Sequence, residues 1–402
     1  MEQDLGERWT AKAIYTHNNL DSEWESFYLS GAPDPVTELG LLAHASFYEA
    51  DDKEDIVDLF VSGAFAMFGQ EHELVAGINL ADIHLTGRSV YTQEWNYDPV
   101  GADWAEGNTP RPRFNVYDAA NQSTDINQKQ DSYYLSTRLN LTDALSVLLG
   151  ARTVDIEQDG VSYGAPQTVA DDETVPYAGL TYQILTGTML YTSFSEVFNP
   201  QTWVDAELSP LGAVRGESSE VGVKQQVFGG SAVLTLAYFE SAQENFGEWV
   251  TRDTASGLNI YRGVGFDSDG LELELAGELF TGLNISAGYT QVDVTDDNGK
   301  HTRRFIPSQQ FKLATAYHLA AVPELRVGAG INWQKEIYYG DTRVQGGYAL
   351  VDLFVQYALT SNLTLALNAN NVTDEKYLLS PQWGQANYGA PRNITGSISW
   401  RY

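Results

Sequence analysis

Apolar and polar residues alternate along most of this chain with a period of two. Leu271, Leu273 and Leu275 interleave with Glu272, Glu274 and Ala276, and Leu283, Ile285, Ala287 and Tyr289 with Asn284, Ser286, Gly288 and Thr290. In an extended strand successive side chains point to opposite faces, so each run predicts one apolar face and one polar face. Trp9, Ala11, Ala13 and Tyr15 carry the pattern near the start. Leu363, Leu365, Leu367 and Ala369 carry it near the end, and Ile394, Gly396, Ile398, Trp400 and Tyr402 close the chain on aromatics.

Short turn signals separate the runs: Gly69-Gln70-Glu71, Thr142-Asp143-Ala144, Thr186-Gly187, Gly229-Gly230 and Thr281-Gly282. The expected return strand to the first turn runs over 56–68, after a Ser-, Gly- and Pro-rich loop at 29–35, and the longest irregular stretch is expected at 93–130. Strands are expected near 132–140, 145–155, 176–184, 189–194, 220–228, 232–239, 311–318, 325–333, 349–359 and 363–370. Tight turns at one end and long loops at the other are the layout of an all-β, transmembrane antiparallel β-barrel with roughly sixteen strands here. A β-propeller has a similar repeat length, but its blades hold four short strands where each period here holds two long ones.

Composition supports a membrane barrel over its rivals. The chain has 402 residues, 23 Lys plus Arg against 54 Asp plus Glu, and a formal charge of −31. That balance excludes nucleic acid as a partner, since binding it rests on cationic contacts to phosphate. Cysteine is absent, which removes disulfides and thiolate metal sites. No apolar run is long enough for a transmembrane helix. A barrel needs none, because half of each strand faces a polar lumen, where Glu272 and Glu274 are expected along with Lys12, Arg152, Arg326 and Asp352. The 23 Tyr, 16 Phe and 9 Trp gather near segment ends, where interfacial rings belong. Met1 to Gly6 has neither the basic nor the apolar region of a secretory signal.

Several segments carry a family resemblance. Asn370-Asn371-Val372-Thr373-Asp374-Glu375-Lys376-Tyr377, then Tyr388-Gly389-Ala390-Pro391-Arg392-Asn393 and the terminal aromatic strand, resemble the C-terminal signature of TonB-dependent outer-membrane receptors. Thr373 stands where that family usually has an aromatic. Phe68-Gly69-Gln70-Glu71-His72-Glu73-Leu74, Leu148-Leu149-Gly150-Ala151-Arg152, Tyr191 to Gln201, Gly270 to Gly277 and Ala287-Gly288-Tyr289-Thr290 resemble further segments of the family, in its order. The likeness is to ferric siderophore receptors of the pyoverdine and coprogen type. It implies a Gram-negative outer-membrane location and a ferric siderophore as ligand. Residues 1–402 would then be about the last 16 of roughly 22 barrel strands, with the plug domain, the TonB-contacting box and the first strands missing. TonB would act only through that plug, and lipid and lipopolysaccharide would surround the wall.

Candidate chemistry follows from that resemblance. His17, His44, His72, His84, His301 and His318 show no metal-ligand spacing, and no catalytic motif is legible, so neither an enzyme nor a resident cofactor is expected. Iron would arrive already enclosed by the siderophore, recognised through aromatic contact and a few hydrogen bonds. The candidates are aromatics at loop bases: Tyr28, Tyr91, Trp95, Trp104, Trp203 and Trp383, with Trp249 and Tyr338 beside them. Tyr91 and Trp95 lead, because their segment, 87–98, resembles the stretch that supplies aromatic contacts in pyoverdine-type receptors. The competing reading for each ring is a girdle residue at the lipid headgroups. For the whole chain the alternatives are a passive porin-like channel and a receptor fragment without function of its own. Asp296-Asp297-Asn298-Gly299 has the wrong spacing for a calcium loop and reads as a hairpin turn.

Overall fold

The computed structural model describes residues 1–31, 34, 36, 37, 40, 42–91, 114, 123–382, 384 and 386–401. Among them sixteen long strands follow one another: β1 Trp9–Ser30, β2 Leu42–Met67, β3 Gln70–Tyr91, β4 Ser123–Asn140, β5 Leu145–Ser162, β6 Val169–Leu185, β7 Thr188–Asn199 and β8 Val214–Val227. The second half is β9 Ala232–Arg252, β10 Asn259–Phe280, β11 Leu283–Asp296, β12 Gln309–His318, β13 Leu325–Gln334, β14 Tyr348–Ala358, β15 Leu363–Asn370 and β16 Asn393–Trp400. Each pairs antiparallel with the next, from β1–β2 to β15–β16. The result is one continuous curved wall. Its edges are β16 and, beyond the short strand Glu2–Asp4, β1.

Register turns the alternation into two surfaces. Val223, Leu236, Leu273, Tyr289, Phe311 and Trp333 oppose one another across β8 to β13. One residue away on each strand, Lys224, Thr235, Glu274, Gly288, Lys312 and Asn332 form the parallel row on the other face. The apolar row is open: Leu271 and Leu273 are 46% and 44% exposed. A soluble sheet would cover such a surface, whereas a barrel presents it to lipid. Lys12, Phe60, Gly77, Tyr134 and Arg152 form another lumen row, across β1 to β5. Hydrogen bonds tie polar-face residues to one another, with Tyr134 Oη donating to Asp58 Oδ1 at 2.9 Å and Arg152 Nη2 to Ser132 Oγ at 2.8 Å.

Several strands run further than alternation predicts. β1 has 22 residues and β2 has 26, where crossing a bilayer takes about 9–11. β2 therefore begins at Leu42 rather than 56, and β4 at Ser123, inside the stretch expected to be irregular. Part of the added length, as at 17–19 and 51–55, is polar on both faces. Asp51 to Asp55 are five charged residues in succession, which give no periodicity, yet ladder hydrogen bonds hold them between β1 and β3. At the other end of β2 the turn is Phe68-Gly69, closed by the pair Met67 and Gln70, rather than 69–71. Both turn residues have positive φ, 53° and 80°, the geometry that matches strand twist in two-residue hairpins.

Candidate functional site

Pairing is uninterrupted along β1, β2 and β3, so the lumen face can be followed from Lys12 to the loop end. It carries Trp24 opposite Tyr48, Tyr48 opposite Ser89, and Ser46 opposite Tyr91. The rings form a ladder. Trp24 stacks on Tyr48 with centroids 5.0 Å apart and planes 11° from parallel, and Tyr48 meets Tyr91 edge-on at 6.3 Å. Ser46 and Ser89 lie buried beneath, and Ser46 Oγ donates to Tyr48 Oη at 3.1 Å. Small side chains under large ones hold the rings against the sheet. Trp24 and Tyr91 are nevertheless each 47% exposed, leaving aromatic area for a ligand. Burial, then hydrogen bonding with Tyr48, pushes the Tyr91 phenol above its ordinary value of 10.0, so it remains a neutral hydroxyl near neutral pH.

The opposite face of the same hairpin carries its brace. Arg88 Nε donates to Glu49 Oε2, and this bond holds the Glu49 carboxyl below the usual carboxylate range. Glu49 and Arg88 are neighbours of Tyr48 and Ser89 in sequence, so the ion pair fixes the backbone from which the ladder projects.

The other candidates fall into three groups. Trp203 is in the connection between β7 and β8, stacked on Tyr261 at 4.6 Å and 8°. Gly247 makes room for it, since a Cβ there would lie 1.9 Å from Trp203 Cε3. Trp203 also meets Phe246 edge-on at 6.0 Å, a ring that in turn meets Phe266 at 5.9 Å. Tyr261 and Gly263, opposite Trp249 and Gly247, share by alternation the side of β10 that carries Leu271. Trp249 is 59% exposed on that same side, and Tyr338 lies under Arg304, 3.8 Å from ring centre to guanidinium. Trp95, Trp104 and Trp383 lie outside the described residues, as does the side chain of Tyr28, whose backbone pairs with His44. Trp24 and Tyr48 were not among the candidates. Their signal is the parity of Lys12, which the alternation of Trp9 to Tyr15 carries forward only if the strand is known to continue.

An exposed apolar belt outside, a polar lumen inside and aromatic rings at the loop end define a membrane-spanning β-barrel wall. The chain belongs to the TonB-dependent receptor-like β-barrel family, whose model matches residues 2–372. It is 32% identical over 425 aligned positions to the ferric-pyoverdine BN7/BN8 receptor of Pseudomonas putida, covering 100% of this chain and 50% of that protein. The ferrioxamine B receptor of Salmonella typhimurium is 27% identical over 68% of this chain and 41% of its own length. The ferripyoverdine receptor of the Pseudomonas aeruginosa outer membrane, solved with ferripyoverdine bound, superposes with a TM-score of 0.86 at 29% identity, over 98% of this chain and 54% of that one. The chain spans about half the length of the curated relatives it matches.

Proposed function

We propose that the protein carrying this chain is a receptor of the Gram-negative outer membrane that takes up a ferric siderophore, driven by TonB. The carrying observation is the ladder Trp24–Tyr48–Tyr91 on the lumen side of the tallest hairpins, where a ligand entering from the loop end meets it first. Flat, half-exposed rings with a neutral phenol suit an organic chelate whose iron is already coordinated. The relatives named for ferric pyoverdine support a siderophore of the pyoverdine kind. Iron is cargo in this reading, and the protein supplies no ligand to it. Trp203 shapes the connection between β7 and β8, and the roles expected of the Tyr28 side chain, Trp95, Trp104 and Trp383 fall outside the described residues. Arg152 and Arg326 reach into the lumen, where they contact a plug domain.

The test is uptake of radiolabelled iron from ferric pyoverdine by cells that lack their own receptor and express the full-length protein containing this chain. Accumulation that disappears when TonB is deleted supports the proposal. Accumulation that continues without TonB identifies a passive channel instead.

A further inference from the structure

In a chain with 54 acidic residues and 23 basic ones, one cavity has more basic than acidic residues in its lining. It measures about 590 Å³ and lies between the end of β11, the connection 297–308 and the short hairpin Ile337–Tyr339 with Thr342–Gln345. Its charged lining consists of Lys300, His301, Arg303, Arg304 and Lys335 against Asp293, Glu336 and Asp341. Much of that charge is already paired. His301 Nδ1 is 2.7 Å from Asp293 Oδ1, and Arg304 Nη1 donates to Asp341 Oδ1 at 3.2 Å. Lys300 acts on the Asp296 carboxylate of its own turn. That leaves Arg303 and Lys335, with Glu336 the opposing group in the lining.

Arg303 is held unusually. Its φ is 49°, the left-handed region that residues with a side chain rarely adopt. Its guanidinium lies 4.1 Å from the ring centre of Phe266 and 5.0 Å from that of Phe246. Nη2 is buried with no hydrogen-bond partner among the described residues. Glu248 acts on it only through space, since that carboxylate accepts from Arg262 Nη2 at 2.6 Å. A planar cation desolvated between two rings and short of an acceptor has the chemistry of an oxyanion receptor.

We propose that this cavity is a binding site for an oxyanion, a carboxylate or phosphate group, taken by Arg303 and Lys335. Phe266 lies on the lumen face with Glu272 and Glu274, whereas Gln291 and Asp293 of the lining stand opposite Leu271 and Asp269 on the other face, so the cavity sits where the two faces meet above β12. The proposal is independent of the transport reading. Its probe is inorganic phosphate, titrated at constant ionic strength into the detergent-solubilised full-length protein and followed by calorimetry. The expected result is saturable binding, weakened about tenfold by Arg303→Met and by Lys335→Met and unchanged by Arg343→Met, which removes the same charge outside the cavity. Lys335→Met leaves the ring stack intact, so it reads the site even where Arg303→Met disturbs folding. No saturable binding to the unaltered protein, or equal weakening by Arg343→Met, overturns the proposal. Repeating the titration in lipopolysaccharide vesicles identifies the source. Phosphate binding that is lost there and restored with dephosphorylated lipopolysaccharide means a lipid phosphate fills the site, and undiminished binding means a soluble anion does.

Discussion

The backbone N–H of Asn140 donates to Nδ1 of His72 at 3.1 Å, across the β3–β4 interface. With Nδ1 an acceptor, the proton sits on Nε2, which donates to the Met67 carbonyl at 3.0 Å. His72 is 2% exposed, with its ring against Phe65 at 5.1 Å. One side chain thus ties the Phe68-Gly69 turn to the next strand, which gives a physical role to the histidine in the segment 68–74. His72→Ala leaves a buried donor and a carbonyl unpaired, at a cost of about 1–3 kcal/mol. A lowered urea midpoint for the folded protein in detergent micelles is expected, and an unchanged midpoint would show the two bonds to be dispensable.

The wall itself predicts an asymmetry between adjacent residues. Leu273 faces lipid and Glu274 faces the lumen. Leu273→Arg is expected to cost about 2–4 kcal/mol of folding into bilayers, whereas Glu274→Gln changes it little. Equal effects would mean that the two faces are assigned the wrong way or that the wall does not span a membrane.

Gly247 and Trp203 are coupled by contact. A methyl group at Gly247 collides with the indole, so Gly247→Ala is expected to cost about 1–3 kcal/mol. It also frees the connection 200–213 for proteolysis. Pairing it with Trp203→Ala should recover part of the loss, and additive losses would show that the ring and the glycine act separately.

The Glu49–Arg88 brace predicts a pH dependence. The folded carboxyl is depressed from its ordinary 4.5, so its stabilisation is complete above that value and is lost as pH falls through the lower folded one. Both partners are partly exposed, which limits the effect to about 1 kcal/mol. Hydrogen-exchange protection at 46–50 and 88–91 should fall between neutral pH and about pH 3, and Glu49→Gln should abolish that dependence. A fall of the same size in the variant would assign it to other groups.

What was legible in the sequence was the part of the wall inside the membrane. Leu271 to Leu275 and Leu283 to Tyr289 must separate lipid from lumen, so their alternation is strict, and the six charged lumen residues Lys12, Arg152, Glu272, Glu274, Arg326 and Asp352 all fall on the polar face. Above the membrane both faces meet water. The run Asp51 to Asp55 therefore lost the signal, and Trp24 and Tyr48 beyond it went unread. Phe68-Gly69 was displaced by one position because an aromatic at positive φ is not a usual turn signal. The partners of Trp203 and Arg303 come from strands far apart in sequence, and no local pattern announces them.

The aromatic ladder is the proposed seat of the chelate, and equilibrium quenching of tryptophan fluorescence by ferric pyoverdine reads its occupancy. The full-length protein should quench saturably, and Trp24→Ala and Tyr91→Ala should each raise the Kd by about three- to tenfold, the worth of one aromatic contact, while Trp249→Ala leaves it unchanged. Identical isotherms for the unaltered protein and a Trp24→Ala/Tyr91→Ala double variant would contradict the account.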